Sequence, residues 1–416
     1  MWNWKTEFEL GISNDLKEYY GKKLETKLSE ATDKKEVQRS SILITTGGVA
    51  AGVTDKSFNQ SAWGALQLYQ QQLKIPGKIK VTYRETSNDT ELPAAYDYAL
   101  RQNYKNWVLT GFQQTKMFEN WLKVGGNKAK FITSKSVIIA VDWDGSSFVP
   151  EGQFFGFGFK TNESSWIVGQ AAAAYLTQTG NKSHLSSFGG GIFDGITDFN
   201  NGFLQGMSDW NESNPSKKVK FYSGNDPSNT IDLSTGFVAN PESTSKINNI
   251  LGTNENKPQI ILPVAGQLTT STLDRIKDSK SNQMIIGVDS NQALAFPQNK
   301  TTFFSSVEKR TAVALYKALT MLSGVPLDFI SGAINDNGFE IDFVPLVKNQ
   351  YVKYGFDKDF VGYSPSTISG DDASLVNKLL EDALARFKSK KPVFELMTDS
   401  TKNQDLLNGL IAKINS

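Results

Sequence analysis

The 416-residue chain contains no cysteine and a single histidine, His184. The absence of cysteine excludes disulfides, thiolate metal ligands and a thiol nucleophile. One histidine cannot form a multi-histidine metal centre, and a Ser-His-Asp triad would have to use His184, whose place before an apolar run fits the start of a strand. Much familiar enzyme chemistry is therefore excluded, and the sequence predicts no catalytic residue, no metal site and no cofactor.

The chain also lacks an excess of either charge and any long apolar run. Lys and Arg number 44 against 43 Asp and Glu, which gives a formal charge of +1 and no basic footprint for nucleic acid. Local runs such as Lys388 to Lys391 are typical of a solvated surface. No apolar run reaches the ~20 residues of a membrane-spanning helix. The length predicts two domains.

From Ser41 onward, strand-like runs alternate with amphipathic helical patterns, which predicts an α/β fold with parallel sheets covered by helices. The first half has predicted strands at 42–44, 79–83, 107–109 and 137–141, with helices at 62–73, 94–102 and 114–124. The second half has predicted strands at 154–159, 185–188, 219–222, 259–263 and 284–288, with helices at 166–178, 196–209, 243–251 and 270–278. Strands at 303–307, 339–345 and 351–352 and helices at 311–322, 373–388 and 403–414 follow.

The stretch from Ile42 to Trp63 is the most informative about function. A strand and a glycine turn lead to Asp55, Phe58 and Asn59 at the start of a predicted helix, which Ser57 or Asn59 can cap. A carboxylate, an aromatic face and a carboxamide placed together can bind a flat heterocycle with a hydroxylated tail. The alternative is that Phe58 belongs to the core and the polar residues only cap the helix.

The residues from Asp55 to Asn59 resemble the Asp-x-Ser-Phe-Asn signature of the basic membrane protein (BMP) family. This family comprises bacterial ABC-transporter substrate-binding lipoproteins and includes purine nucleoside receptors. The resemblance covers roughly Ser41 to Leu322. It continues in segments that match the family's later motifs in order: Val108 to Phe112, Asn162 to Ala174, Phe188 to Gly206, Val264 to Gly266, Ile286 to Gln292 and Ser305 to Lys309.

The resemblance implies a type I periplasmic-binding-protein fold, in which two doubly wound lobes are joined by three crossovers. We expect the crossovers near Asp142, Asp289 and Gly324, with the ligand between the lobes at the carboxyl ends of the strands. The expected parts are an N-terminal tether (1–40), an N-terminal lobe (41–142 plus 290–323), a C-terminal lobe (143–289 plus 324–395) and a C-terminal helical tail (396–416).

The resemblance also implies a role for each site residue. Phe58 stacks on the base, Asn59 hydrogen-bonds it, and Asp142 accepts from its edge. Asp289 and Lys309 face the ribose, and Gly266 lets backbone approach the sugar. Asp55 holds the rim or a ribose hydroxyl, and Tyr222 is the candidate second stacking aromatic. A carboxylate and an ammonium are suited to vicinal hydroxyls, although an ordinary ion pair remains the alternative.

Three other motifs are weaker. The run Asp142-Trp143-Asp144-Gly145 resembles a calcium loop, but its twelfth position is Gln153 and not the required glutamate. Its two aspartates have a spacing too common to identify a glycosidase. The run Gly189-Gly190-Gly191 lacks the Lys-Ser/Thr of a phosphate-binding loop.

The resemblance therefore implies a receptor, and not an enzyme, that captures nucleosides, purine nucleosides in particular, in a cleft between the lobes. It is expected to deliver them to the membrane subunits of an ABC transporter. The resemblance implies a location at the outer face of a bacterial cell membrane. Contact with the membrane is expected only through an N-terminal lipid anchor that the given sequence does not include. The alternatives are a nucleoside-hydrolysing enzyme and a sugar receptor or surface adhesin on the same scaffold.

Overall fold

A computed structural model describes residues 40–46, 52–72, 80–180, 183–225, 229–322, 348–395 and 402–416. The strands are β1 (Ser41–Thr45), β2 (Val81–Glu85), β3 (Asn106–Thr110), β4 (Val137–Val141), β5 (Phe154–Phe159), β6 (His184–Gly189), β7 (Lys220–Phe221), β8 (Ile260–Val264), β9 (Met284–Asp289), β10 (Phe303–Lys309), β11 (Gln350–Tyr354) and β12 (Val361–Tyr363).

The helices alternate with these strands, as the sequence predicts. They are α1 (Phe58–Gln72), α2 (Leu92–Arg101), α3 (Gln114–Leu122), α4 (Asn127–Ser134), α5 (Thr161–Thr179), α6 (Asp194–Ser213), α7 (Pro241–Leu251), α8 (Leu268–Asp278), α9 (Gln292–Ala295), α10 (Thr311–Leu322), α11 (Asp371–Lys390) and α12 (Asn403–Asn415). The predicted strand at 339–345 and residues 1–39 of the expected tether lie outside the described residues.

The chain divides into two compact units. Unit 1 comprises Met1–Phe159 and Arg310–Phe360, and unit 2 comprises Lys160–Lys309 and Val361–Ser416. The chain thus passes between the units three times. The passages follow Phe159, Lys309 and Phe360, and they come later in the sequence than the expected positions near Asp142, Asp289 and Gly324.

In the described part of unit 1, a six-stranded parallel sheet has the order β11-β5-β4-β3-β1-β2. The inner strands β1, β3 and β4 are buried along their whole length, which fits their continuous apolar sequences and the helices on both faces. An aromatic core that contains Trp107, Phe118 and Phe131 lies on one side of this sheet.

The described part of unit 2 has the corresponding sheet, with the order β12-β10-β9-β8-β6-β7. Its strands are parallel except for β12, which runs antiparallel to β10. Position by position, β4 of unit 1 corresponds to β9 of unit 2, and β3 corresponds to β8. The carboxyl ends of β4 and β9 therefore occupy the same position in the strand order of their sheets, as do those of β3 and β8.

Three strands belong to a different unit from the one we expected. We expected β5 to open the second lobe, but it pairs with β4, with Ile138 opposite Phe154. We expected β10 in the first lobe, but it pairs with β9, and β11 joins β5 in unit 1. The physical reason is that β5 and β10 are buried along their whole length, and a strand buried on both faces fits an inner position of either sheet. Long-range pairing therefore decides their place.

Helix α4 was missing from the sequence prediction. Gly125 and Gly126 have φ angles of 53° and 74°, which end the preceding helical segment and allow a new axis direction. The short helix has one fully buried large side chain, Phe131, which packs on Trp107 with ring centroids 5.2 Å apart. Because only Phe131 of its eight residues is buried, the segment has no apolar stripe with the period of a helix.

The C-terminal helices α11 and α12 pack on unit 2. Arg386 Nε of α11 donates to Gln170 Oε1 of α5 at 3.2 Å. At the end of α12, the Asn415 amide accepts from Phe221 N at 2.8 Å and donates to Phe221 O at 3.2 Å. This amide therefore pairs with the outer edge of β7 as a neighbouring strand would.

Candidate functional site

Most of the predicted site residues lie at the carboxyl edge of the sheet in their own unit, where ligands bind in open α/β folds. In unit 1, α1 follows β1, and Asp142 follows β4 directly. In unit 2, Asp289 ends β9, Lys309 ends β10, and Gly266 follows β8 by two residues. Each unit thus brings its own set of candidate residues together.

Asp55 organises the start of α1. Its carboxylate accepts from the backbone N–H groups of Ser57 at 2.9 Å, Asn59 at 2.9 Å and Gln60 at 3.1 Å. We expected Ser57 or Asn59 as the cap and a helix from Ala62, whereas α1 begins at Phe58 and Asp55 receives these N–H groups. A buried carboxylate in this place also complements the positive end of the helix dipole.

This arrangement fixes the two neighbouring residues that the sequence singled out. Phe58 is half-buried at the first position of α1. Asn59 is buried, and its Oδ1 accepts a hydrogen bond of 2.9 Å from the Thr110 hydroxyl at the end of β3. The carboxamide of Asn59 is therefore held against the carboxyl edge of the sheet.

Asp142 lies next to this pair. Thr110 is in register with Val141 across the β3–β4 ladder, so Asp142 follows one strand away. Its φ is 66°, in the left-handed region, and its N–H donates to Phe157 O at 3.0 Å. The next residue, Trp143, is buried and donates its indole N–H to Leu109 O at 2.9 Å, which anchors this turn in the core.

In unit 2, Asp289 and Lys309 form a buried pair. Lys309 Nζ lies 3.9 Å from Asp289 Oδ1, and the two side chains are 4% and 12% exposed. The ammonium also lies 5.6 Å from the centroid of the Phe199 ring, at a distance typical of a cation–π contact. Asp289 has a φ of 65°, nearly the same as that of Asp142 at the matching strand end of unit 1.

Gly266 lies at the same edge. Its φ of 51° favours glycine, and a Cβ placed on it would have no heavy atom within 4 Å. Within the described part of the chain, no atom fills the space beside this backbone. That geometry agrees with the predicted close approach of a ligand to the chain.

Tyr222 is not brought to this edge. It lies level with the start of β6, because its N–H donates to Leu185 O at 2.8 Å. Its hydroxyl donates to Asn225 Oδ1 at 3.0 Å and accepts from Asn254 Nδ2 at 3.3 Å, in the turn that follows α7. These contacts hold the ring beside the turn, away from Gly266, Asp289 and Lys309.

Another aromatic residue, Phe237, lies at the carboxyl edge of unit 2 and was missed from the sequence. The segment before it pairs with the end of β6, since Gly189 N donates to Asp232 O at 2.8 Å. A Cβ on Gly190 would collide with the Phe237 ring, and Phe237 stacks on Phe193 with centroids 6.3 Å apart. Both aromatic residues are half-buried.

A local signal for Phe237 does exist. Asn240 caps α7 with a capping box to Ser243, and Pro241 occupies the first turn. Phe237 thus stands just before a well-defined helix start, as Phe58 stands at the start of α1. An aromatic residue beside a helix start was the signal that identified Phe58.

The described residues contain no group of three or more His, Asp or Glu side chains that could hold a metal ion. In the motif considered as a calcium loop, Asp144 Oδ1 accepts from Ser146 N at 2.8 Å within its own turn. None of the helices in the described ranges is long and apolar enough to span a membrane.

Comparison with solved structures defines the class of fold. The chain is similar to an ABC transporter system solute-binding protein from Aeropyrum pernix K1, with a TM-score of 0.62, 16% identity, and coverage of 90% of this chain and 98% of the other. This likeness and the two parallel-dominated sheets confirm the predicted type I periplasmic-binding-protein fold.

A similar fold also occurs in a protein that is described as a transcriptional activator and not as a solute-binding protein. A transcriptional activator of the comK gene from Bacillus halodurans is similar with a TM-score of 0.54 and 10% identity, over 86% of this chain and 100% of that chain. At such identities the likeness concerns the fold alone, so it does not identify a ligand.

Sequence comparison adds a likeness to a family. Residues 46–221 match the family model described as Bmp, ABC transporter substrate-binding protein PnrA-like, which confirms the resemblance to the BMP family. The matched range includes Asp55, Phe58, Asn59 and Asp142. It ends before Gly266, Asp289 and Lys309, whose placement therefore rests on the geometry of unit 2.

A similar protein with a known ligand class shows the same likeness. The ABC transporter nucleoside-binding protein BmpA of Lactococcus lactis subsp. cremoris (strain MG1363) is 30% identical to this chain over 155 residues. The match covers 37% of this chain and spans 40% of the length of the relative.

Proposed function

We propose that the protein is the substrate-binding component of an ABC transporter and that it captures nucleosides, purine nucleosides in particular. The family match and the nucleoside-binding relative support this proposal. The chemistry of the two sheet edges supports the ligand class. One edge carries groups suited to a flat heterocycle, and the other carries groups suited to hydroxyls.

The pair formed by Asp289 and Lys309 is the observation that carries the proposal. Their separation of 3.9 Å is longer than a hydrogen bond, so the charges attract each other without a direct N–H···O contact. A carboxylate can accept from two hydroxyls, and an ammonium has three donors. Vicinal ribose hydroxyls between or beside these groups would gain charge-assisted hydrogen bonds.

The base is assigned to the residues of unit 1. In this proposal Phe58 stacks on the ring, Asn59 and Asp142 bind its polar edge, and Phe237 of unit 2 contributes a second aromatic face. Stacking on an aromatic side chain tolerates any base, whereas the polar groups discriminate between bases. Asp55 acts by capping α1 and thereby positions Phe58 and Asn59.

We propose further that one nucleoside is bound by residues of both units, and that ligand binding favours a closed arrangement recognised by the membrane subunits of the transporter. The protein would work at the outer face of a bacterial membrane, held there by an N-terminal lipid anchor. No bond-making step is part of this function.

Isothermal titration with inosine, hypoxanthine and ribose tests the ligand class. We expect inosine to bind tightly, hypoxanthine less tightly and ribose weakest, because only the nucleoside engages both sets of residues. Tight binding of ribose without any response to inosine would favour the sugar receptor. Chromatography of the same mixture after prolonged incubation would reveal free hypoxanthine if the protein were a hydrolase.

A further inference from the structure

We propose that Thr110 is a positioning residue that sets the base preference of the nucleoside site by fixing the orientation of the Asn59 amide. In this orientation the site selects 6-oxopurine nucleosides, such as inosine and guanosine, over adenosine. The inference rests on the proposed function and adds the base class to it.

The hydrogen bond between the two side chains provides the orientation. Thr110 is fully buried at the end of β3, and its hydroxyl donates to Asn59 Oδ1 at 2.9 Å. The two ends of a carboxamide have nearly the same shape but opposite hydrogen-bonding character. Because Thr110 binds the oxygen end, the N–H₂ end of Asn59 is turned away from Thr110.

Asp142 supplies the complementary group. The backbone N–H of Gly111, which follows β3, donates to Val141 O at 3.0 Å. Asp142, the residue after Val141, therefore lies beside the end of β3. Adjacent parallel strands lie about 4.8 Å apart. The carboxylate of Asp142 and the amide of Asn59 are therefore carried by neighbouring points of one sheet edge, an acceptor beside a donor.

This pattern matches one type of base edge. Hypoxanthine and guanine have the O6 acceptor next to the N1–H donor, so O6 faces Asn59 and N1–H faces Asp142. Adenine in the same pose has an amino group and an unprotonated N1, and each would face a group of its own kind. A rotated Asn59 amide would place an acceptor beside the carboxylate and remove this discrimination.

Affinities of the full chain for inosine and adenosine test the proposal in four variants. Thr110→Val removes the hydroxyl and keeps the shape, and it should lower the inosine-to-adenosine affinity ratio about tenfold, mainly through weaker inosine binding. Thr110→Ser keeps a hydroxyl and should keep the wild-type ratio. Thr86→Val is the matched control, because its hydroxyl donates to Thr45 O at 3.0 Å at a nearby strand end and does not contact Asn59.

If Thr110→Val does not fold, the Asn59→Asp variant tests the same inference. It keeps an acceptor for Thr110 and removes the donor, so the ratio should again fall. An unchanged ratio in a folded Thr110→Val or Asn59→Asp protein would overturn the inference, as would equal affinity of the wild type for the two nucleosides. Failure of the wild type to bind any nucleoside would instead reject the proposed function.

Discussion

Two aspartates in the left-handed region mark corresponding points of the two sheets. The third strand in the order of each sheet is followed by Asp142 in unit 1 and ends at Asp289 in unit 2, and these residues have φ angles of 66° and 65°. This conformation costs a non-glycine residue roughly 1–2 kcal/mol, although aspartate tolerates it better than most residues do. Backbone strain of this kind is concentrated at functional sites, which agrees with the proposed roles of both carboxylates.

Phe58→Ala should weaken nucleoside binding by about 1–3 kcal/mol, the usual effect of losing one aromatic stacking partner of a base. Titration calorimetry with inosine measures the change. Tyr83→Ala is a matched control, since Tyr83 is an aromatic residue of the same unit that is 42% exposed on β2. Unchanged affinity in a folded Phe58→Ala protein would remove Phe58 from the site.

Asp289→Asn should weaken ribonucleosides more than free bases, because it removes the charge that holds hydroxyls and attracts Lys309. The comparison is between the affinities for inosine and for hypoxanthine. Asp278→Asn serves as the control, because this carboxylate pairs with Arg275 at 3.0 Å on an exposed surface. Equal losses for the two ligands would show that Asp289 does not bind the sugar.

At the scale of elements, α5 and α6 pack through glycines. A Cβ on Gly202 would collide with the backbone carbonyl of Asn162, and one on Gly206 would collide with that of Trp166. The absence of side chains at these positions lets the two backbones approach each other closely. This contact fixes the helices that cover one face of unit 2.

Gly202→Ala should therefore destabilise the protein by about 1–3 kcal/mol through overpacking. Gly409→Ala provides the matched control in α12, where an added Cβ would have no heavy atom within 4 Å. That variant should be stabilised by roughly 0.5–1 kcal/mol through the better helix propensity of alanine. Urea unfolding measures both changes, and a similar effect of the two substitutions would contradict the close packing at Gly202.

Helix α10 carries a buried lysine in a largely apolar sequence. Burial, followed by the charge of Arg310, lowers the pKa of Lys317 from 10.5 to about 8. Between these two pH values the unfolded chain binds a proton that the folded protein does not. The free energy of unfolding should therefore rise with pH from about 8 to about 10.5.

Lys317→Met should remove this pH dependence and stabilise the protein at pH 7 by up to about 3 kcal/mol, because the cost of burying the charged group disappears. Urea unfolding between pH 7 and pH 10 measures the effect. The control is Lys378→Met, because Lys378 is exposed on α11. This substitution should leave the pH dependence unchanged. The same slope in wild type and Lys317→Met would show that another group causes it.

At the scale of the whole molecule, the second and third chain passages lie next to each other in the fold. Lys309 is the last residue of unit 2 before the second passage, and it pairs with Val361, the first residue after the third. The ladder continues in unit 1, where Arg310 N donates to Phe360 O at 2.9 Å. These two passages therefore run side by side, and the second begins directly after Lys309.

If the protein is a transport receptor, saturating inosine should reduce its radius of gyration in small-angle scattering, and the change should reverse on removal of the ligand. The unfolding temperature should also rise with inosine concentration, because the ligand binds only the folded state. Identical scattering with and without bound inosine would contradict closure. The Asp289→Asn protein, at a concentration of inosine that it does not bind, should show neither change.

The sequence by itself determined the alternation of strands and helices, the α/β class and most candidate residues. Phe58, Asn59, Asp142, Asp289 and Lys309 stand directly after strands or at a helix start, and these boundaries follow from local apolar patterns. Because the carboxyl ends of parallel strands lie at one edge of a sheet, residues at predicted strand ends can be assigned to that edge from the sequence. The family resemblance then gave these positions specific roles.

Only the tertiary structure decided which strands share a sheet and which side chains meet. β5 and β10 are buried along their whole length, so the burial of their residues does not distinguish one sheet from the other. The register around Tyr222 was equally ambiguous, because β7 has two residues and the chain near Asp232 takes over the pairing with β6. The positions of Phe237 and Thr110 depend on contacts with residues far away in sequence, Gly190 and Asn59 respectively. Such pairings depend on the free energy of the assembled sheet, which no local pattern encodes.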